Sequence, residues 1–365
     1  MTLPLDERMR EILALTRSGK LGEATALIRD SLSDAGPAAA SAWHPANDAG
    51  PFEHQPALPS SGPVEPAQKR DAASQATGAA SFTRHSFREG HGSIDYFLYV
   101  PAATTEAMPL VVMLHGCTQS AEDFARGTRM NELAEEMGFL VAYPEQSRGA
   151  NAQKCWNWFR PGDQIKDAGE PALIAGITRK IVREHGVDRA RVYVAGLSAG
   201  GAAAAIMANA YPDVFAAAGI HSGLACGSAR DLPSALAAMK GKGARRGVKG
   251  QAYVPLITFH GDRDNTVDPA NSDHIHAAWR GSRAMAALSH EFEEGVSAGG
   301  RRYRVTAQRD GSGRSMAESW EVLGAGHAWS GGSPAGSYTD AAGPDASREM
   351  LRFFLQHRLG EASPT

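Results

Sequence analysis

Three residues of the types that together perform acyl transfer stand far apart in this chain. Ser198 lies in Gly196-Leu197-Ser198-Ala199-Gly200, Asp264 in HGDRDNTVDP and His327 in LGAGHAWSGG. A serine hydroxyl attacks a carbonyl only when a base within hydrogen-bond reach removes its proton, and that base must itself be held in one tautomer. A histidine oriented by a carboxylate meets both requirements. The chemistry needs no metal or organic cofactor, and it should fail in acid as His327 takes a proton.

The context of Ser198 carries more than its pentapeptide. RVYVAGLS reads as a strand and AGGAAAAIMANA as a helix, so the serine falls on a sharp strand-to-helix turn. Only small residues fit two positions either side of such a turn, and the helix N-terminus behind it favours developing negative charge. With 40 glycines the pattern is also expected by chance, and it recurs at Gly295-Val296-Ser297-Ala298-Gly299. That second copy follows the acidic EFEE and precedes Gly-Arg-Arg, with neither an apolar strand before it nor a helix after, so Ser297 reads as a loop serine.

Three aspartates compete for the acid. Asp262 directly follows a buried strand and its His-Gly turn, where a carboxylate more often bonds the loop. Asp268 precedes Pro269 and reads as an N-cap, which leaves Asp264. A calcium loop fails because its sixth position is Val267 rather than Gly and no Glu closes it. His327 sits in a glycine-rich loop after the last strand, where an imidazole reaches over a sheet edge. His115 and His260, each before a glycine at a strand end, read as structural or as bordering the site. His221 reads as a buried histidine with satisfied hydrogen bonds.

The elements that must position these residues follow from the apolar pattern. RHSFREG and SIDYFLYVP read as an opening antiparallel pair, followed by PLVVMLHG, GFLVAYPE, RVYVAGLS, FAAAGIHSG and VPLITFHGD. Helix-length segments cover 121–135, 170–185, 200–211, 231–240 and 270–280. RRYRVTAQR and AESWEVLGA read as late edge strands, and a closing helix spans 345–358. Continuous apolar strands alternating with helices predict an α/β architecture, a mostly parallel central sheet covered by helices on both faces. With the serine turn this is the α/β-hydrolase fold, in which nucleophile, acid and histidine follow in that order along the chain.

That fold also predicts where a carbonyl oxygen would gain its charge. One donor is the amide after the nucleophile, Ala199. The other comes from the loop His115-Gly116-Cys117-Thr118, assigned to the Cys117 backbone with His115 shaping the loop. Trp156 and Trp158, in CWNWFRPGDQ, should lie above the sheet, where they line a substrate cleft or pack as ordinary indoles. Trp329, two residues beyond His327, has the same two readings.

The chain has 365 residues, 42% of them hydrophobic, enough for one large core with a small appendage. A net charge of -3 gives no broad attraction to nucleic acid or to an anionic membrane surface. No run of eighteen apolar residues predicts a membrane span. Residues 1–33 read as a short helical N-terminal extension, which caps the domain or docks a partner. Residues 34–80 form an Ala/Pro/Ser/Gly-rich linker too poor in apolar residues to fold, and 81–358 form the α/β domain. No secretory signal is read at the N-terminus, which suggests the cytoplasm.

The blocks LHGCTQSAEDFARGTRMNELAEEMGFLVAYPEQ, CWNWF, GLSAGGAAAA, HGDRDNTVDP and GAGHAWSGG, in that order, resemble the poly(3-hydroxybutyrate) depolymerase family of esterases. That family is related to feruloyl and acetylxylan esterases, and the resemblance covers roughly residues 82–358. It implies hydrolysis of short-chain hydroxyalkanoate esters and carries the triad roles onto Ser198, Asp264 and His327. It carries the oxyanion role onto the segment from His115 to Cys117. Secreted members of the family differ in having a signal peptide and a polymer-binding domain. Neither is read here, so soluble oligomers or small esters are the expected substrates. The competing readings are a feruloyl or acetylxylan esterase, a peptidase, and a non-catalytic binding protein on the same fold. Cys117 and Cys155 are either bridged, pinning the aromatic loop over the site, or reduced as intracellular thiols.

Overall fold

The apolar runs alternate between two sides of one sheet, and the computed structural model shows what covers each side. It describes residues 76–243, 254–281 and 288–360, all within the unit Lys69–Thr365. The expected extension 1–33 and the linker up to residue 75 lie outside the described residues. Beyond them, the backbone of Ala76–Thr77 pairs antiparallel with that of Ala103–Thr104, so paired structure begins a few residues before position 81.

Among the described residues, ten strands form the sheet. In chain order they are β1 Ser81–Glu89, β2 Gly92–Val100, β3 Leu110–Leu114, β4 Leu140–Glu145 and β5 Val192–Leu197. The remaining strands are β6 Ala217–His221, β7 Leu256–Gly261, β8 Ser289–Val296, β9 Arg302–Arg309 and β10 Ser315–Val322. Their spatial order is β8-β9-β10-β7-β6-β5-β3-β4-β2-β1. The run from β4 to β10 is parallel, and antiparallel pairs close both ends.

Two expectations change here. β10 was read as an edge strand, but it lies inside the sheet, parallel to β7 and antiparallel to β9. Its side chains are largely buried, as an interior position requires. β9, also expected at the edge, lies between β8 and β10, and the edge is β8, an acidic strand outside the expected set. Its glutamates meet β9 arginines, with Arg309 on Glu291 at 2.6 Å and Arg304 on Glu294 at 2.8 Å. Ser297 still falls in the turn after that strand, where its hydroxyl donates to the Ala342 carbonyl at 2.5 Å.

Seven helices are used below: α1 Ala121–Thr128, α2 Met130–Met137, α3 Gly169–Glu184, α4 Ala199–Ala210, α5 Leu232–Ala237, α6 Ala270–Gly281 and α7 Ala346–Phe354. The single helix expected over 121–135 is two, because Arg129 takes left-handed angles (φ 54°, ψ 25°) between them. The helix expected over 231–240 is shorter, since Lys240 and Gly241 depart from helical geometry.

The period-two alternation of a strand decides which helices each residue meets. Leu110, Val112, Leu114, Val192 and Val194 face one core, with Ile174 and Ile177 of α3 and Ile206 and Met207 of α4. Val111, Met113, Tyr193, Ala195 and Leu197 face the other, with Phe124 of α1, Leu133 of α2 and Met350, Leu351, Phe353 and Phe354 of α7. Burial on both faces is why these strands read as unbroken apolar runs. Gly219 in β6 makes room for α7: a Cβ there would lie 2.6 Å from the Met350 sulfur and 3.0 Å from the Phe354 ring. Among the described residues, no helix is long and apolar enough to cross a membrane.

Phe354 is fully buried and stacks on Tyr193 with centroids 5.0 Å apart. Phe354→Ala should therefore lower the unfolding free energy by about 3–5 kcal/mol, read from the urea midpoint at constant slope. A loss under about 1 kcal/mol would mean that α7 does not secure the second core.

Candidate active site

Ser198 sits between the last residue of β5 and the first of α4, at φ 59° and ψ -118°. A non-glycine residue at such angles is strained and is held there by its surroundings. The flanking glycines supply the room. A Cβ at Gly196 would lie 2.3 Å from the Gly200 carbonyl oxygen, and one at Gly200 would lie 1.9 Å from that of Leu114. The turn is thus pressed against the end of β3, whose exit loop carries His115 to Thr118. The Ser198 amide donates to the His221 carbonyl at 2.9 Å, tying the turn to β6 as well.

Asp264 lies beyond β7, in a loop stitched to the segment before His327. The Asp262 amide donates to Val322 and that of Arg263 to Ala325, at 3.2 and 3.0 Å. The other two aspartates are engaged elsewhere. Asp262 accepts from the Gly324 amide and Asp268 from the Ala270 amide at the start of α6, at 2.6 and 2.9 Å. The Asp264 side chain is fully buried; one oxygen accepts the amides of Thr266 and Val267, both at 2.9 Å. Its other oxygen meets His327 Nδ1 at 2.6 Å and His260 Nε2 at 3.4 Å. Burial pushes this carboxyl up, but the bonds from His260 and His327, the His327 charge and the Val267 amide outweigh it and hold it well below the usual carboxylate range. An ionised carboxylate only accepts, so Nδ1 of His327 carries a proton and Nε2 is left free to receive one.

His221 joins the histidine loop to the serine turn. Its Nε2 accepts the Ser330 amide at 2.9 Å while its carbonyl holds the Ser198 amide. Burial pushes its pKa well below the ordinary imidazole value, so it stays neutral. Its proton then sits on Nδ1, 3.2 Å from the Ser222 hydroxyl. Among the described residues, the Ser198 hydroxyl and His327 are not directly hydrogen-bonded. They are related through His221 and the segment 327–330.

The loop after β3 is an accounting of amides. The Gly116 amide donates to the Gln119 side chain at 2.9 Å and that of Thr118 to the Gln153 carbonyl at 2.7 Å. The Cys117 amide lies between them with no partner among the described residues. The Ala199 amide, in the first turn of α4, precedes the first helical bond, which runs from Ala202 to Ser198. Buried His115 supports the loop from below: its Nε2 accepts the Gln146 amide at 3.0 Å and its Nδ1 donates to the Gly116 carbonyl at 2.7 Å. It contributes through this framework, because both ring nitrogens are already engaged. Gln119 escaped the sequence reading; it is buried, and no signal beyond its place in LHGCTQS marks it.

Cys117 and Cys155 are joined by a disulfide across a separation of 38 residues. The tryptophans near it do not line a cleft. Trp156 is 0% and Trp329 1% exposed. The Trp156 indole donates to the His115 carbonyl at 3.1 Å, and Trp329 donates to the Ser347 hydroxyl at 3.0 Å and stacks on His221. Trp158 is also buried, edge-on to Phe159. Burying such rings is favourable, so Trp156 packs against His115 and Trp329 against His221 as supports of the site, while Trp158 packs in the core.

Thiol titration of the unfolded, unreduced protein should find one reactive cysteine, Cys226, of the three in the chain. The Cys117→Ser, Cys155→Ser pair should cost roughly 3–5 kcal/mol of stability. The buried imidazoles set an acid limit. Burial lowers His115, His276 and His357 from 6.5 to about 4. The unfolded chain therefore takes up protons that the folded chain refuses, and stability should fall as pH drops from 6.5 to 4. Denaturation midpoints that stay flat across that window would contradict this assignment.

The sequence profile of the family described as Esterase PHB depolymerase matches residues 94–283. Poly(3-hydroxyalkanoate) depolymerase C of Paucimonas lemoignei is 38% identical over 200 residues, 52% of this chain and 48% of that protein. Feruloyl esterase B of Thermothelomyces thermophilus is 33% identical over 150 residues, 41% of this chain and 50% of that one. The chain thus spans about half the length of these curated relatives. Among solved structures, acetyl xylan esterase from Aspergillus awamori superposes with a TM-score of 0.60 at 20% identity, over 75% of this chain and 99% of that one, which shows the shared α/β-hydrolase fold. Since the profile spans more than half of the 365 residues, the chain belongs to the Esterase PHB depolymerase family.

Proposed function

We propose that this protein hydrolyses carboxylic esters through an acyl-enzyme on Ser198, with His327 as the base and Asp264 as the group that orients it. The observation that carries the proposal is the 2.6 Å bond from His327 Nδ1 to a fully buried, ionised Asp264, which leaves Nε2 free at the strand ends where the Ser198 turn lies. In the first half-reaction Ser198 Oγ attacks the ester carbonyl carbon and its proton passes to His327 Nε2. The carbonyl oxygen becomes an anion between the amides of Cys117 and Ala199. When the intermediate collapses, the ester C–O bond breaks and the alcohol leaves with the proton from His327. Water then attacks the acyl carbon, gives its proton to the same imidazole and releases the acid, and the proton returns to Ser198.

Each oxyanion donor of this kind contributes about 10²–10³ in kcat. The bridge from Cys117 to Cys155 and the Thr118 bond to Gln153 pin the loop on either side of a Cys117 amide that has no partner among the described residues, which supports assigning it that role. For the substrate class we propose short-chain hydroxyalkanoate esters, as oligomers or small esters. This rests on family membership and on the Paucimonas lemoignei relative. The reading of Trp156, Trp158 and Trp329 as cleft lining is not carried forward, since their indoles are buried.

Ser198→Ala should lower kcat on a soluble hydroxybutyrate oligomer by roughly 10⁴–10⁶, and Asp264→Asn by about 10⁴ because it reverses the tautomer of His327. A phosphonate probe should label Ser198 in the wild type and nothing in Ser198→Ala. An unlabelled wild type would turn the reading toward a non-catalytic binding protein. Faster turnover of feruloyl or acetyl esters than of the oligomer would move the substrate class and leave the mechanism standing.

A further inference from the structure

With the three tryptophans buried, the site as described has no aromatic surface open to a ligand. Among the described residues, the large hydrophobic side chains left exposed include two aromatics, Phe292 and Tyr338. Phe292 belongs to the edge strand β8. Tyr338 lies instead between the two loops that flank the serine turn, and it is 47% exposed.

Its backbone is held from both sides. The Trp329 amide, two residues past His327, donates to the Tyr338 carbonyl at 2.7 Å. The preceding residue, Ser337, donates its amide to Asp123 at 3.1 Å, and its carbonyl accepts from the Gln119 side chain at 3.1 Å. Gln119 is the residue that occupies the Gly116 amide, so one side chain fixes both the loop after β3 and the base of Tyr338. The phenol then reaches Thr118, next to Cys117, with 3.3 Å between the two hydroxyl oxygens. Thr118 donates its own proton to the Cys117 carbonyl at 2.6 Å, so the phenol is the donor in that pair. Thr118 and Tyr338 both lie at left-handed angles, φ 68° and 53°. Non-glycine residues at such angles cost conformational energy, and two of them hydrogen-bonded to each other beside a candidate site are held there by the fold around them.

We infer that Tyr338 is a specificity-determining residue, its ring forming the wall against which the alkyl chain of the acyl group packs. The inference rests on the ester-hydrolase reading above and deepens it. A phenol tethered by its hydroxyl at the oxyanion loop presents an apolar face at fixed position, and a chain two methylenes longer gains on the order of tenfold in binding from burial against such a face. An acetyl group, with a single methyl to bury, gains least from it. The hydroxyl fixes the ring and the ring makes the contact, so Tyr338 acts on substrate affinity more than on the chemical step.

The test compares p-nitrophenyl acetate, butyrate and hexanoate on the wild type, Tyr338→Phe and Tyr338→Ala, with the thermal midpoint of each protein recorded. Tyr338→Ala should raise KM for butyrate and hexanoate by roughly tenfold, change KM for acetate by less than about threefold, and leave kcat near its original value. Tyr338→Phe keeps the ring but loses its tether, so it should preserve the order of the three esters with a smaller rise in KM for butyrate and hexanoate than Tyr338→Ala shows. Phosphonate labelling of Ser198 runs in parallel. Normal labelling of both variants with an unaltered chain-length profile in Tyr338→Ala overturns the inference about Tyr338 alone. Absence of labelling in the wild type overturns the ester-hydrolase reading beneath it. If Tyr338→Ala does not fold, Tyr338→Asn, which tolerates the left-handed backbone and removes the apolar face, replaces it, and an unchanged profile there overturns the inference equally.

Discussion

The site is built on the closeness of two backbones. The end of β3 and the start of α4 approach until nothing larger than hydrogen fits at Gly200, 1.9 Å from Leu114 O for a hypothetical Cβ. Close packing tolerates no such overlap, so the position is open to glycine only. Three consequences come from that one contact. Ser198 is forced to φ 59°, α4 begins at the very next residue, and the loop leaving β3 is brought against the serine turn. The nucleophile candidate and the loop that carries the Cys117 amide are neighbours because the two strands that lead into them are adjacent and parallel.

Buried neutral histidines then relay position across the strand ends. His115 takes the Gln146 amide and steadies the loop after β3, and His221 takes the Ser330 amide and steadies the segment after His327. Each is neutral because burial disfavours its charged form, which frees a ring nitrogen to accept an amide proton. Asp264 works in the opposite sense. It is equally buried, yet donors on both of its oxygens keep it charged. The charged carboxylate, which can only accept, is what assigns the His327 proton to Nδ1.

Much of this was legible in the text of the chain, for identifiable reasons. Gly196 and Gly200 announced the turn because steric exclusion leaves no alternative residue, and the unbroken apolar runs announced a sheet covered on both faces. The loop-bonding Asp262 and the capping Asp268 were legible because such positions have recognisable neighbours. The aromatic residues were less legible. Trp156 and Trp329 stand beside the chemistry in sequence, but their burial depends on what the loops of β3 and β6 pack against, and no local pattern records that. The position of β10 was missed for the same reason: a strand of mixed polarity can be an edge or an interior strand with its polar groups paired, as Glu318 is with Arg352 and Trp320.

The sequence by itself determined the alternation of strands and helices, the sharp serine turn and the order of serine, aspartate and histidine, because these rest on local sterics and on periodicity. Only the tertiary structure decided which partner each group meets. It joined Asp264 to His327, left the Cys117 amide without a partner among the described residues, bridged Cys117 to Cys155 and set Tyr338 against Thr118. Those outcomes depend on distances between segments up to 220 residues apart, and such distances are fixed by how the strands order themselves in the sheet.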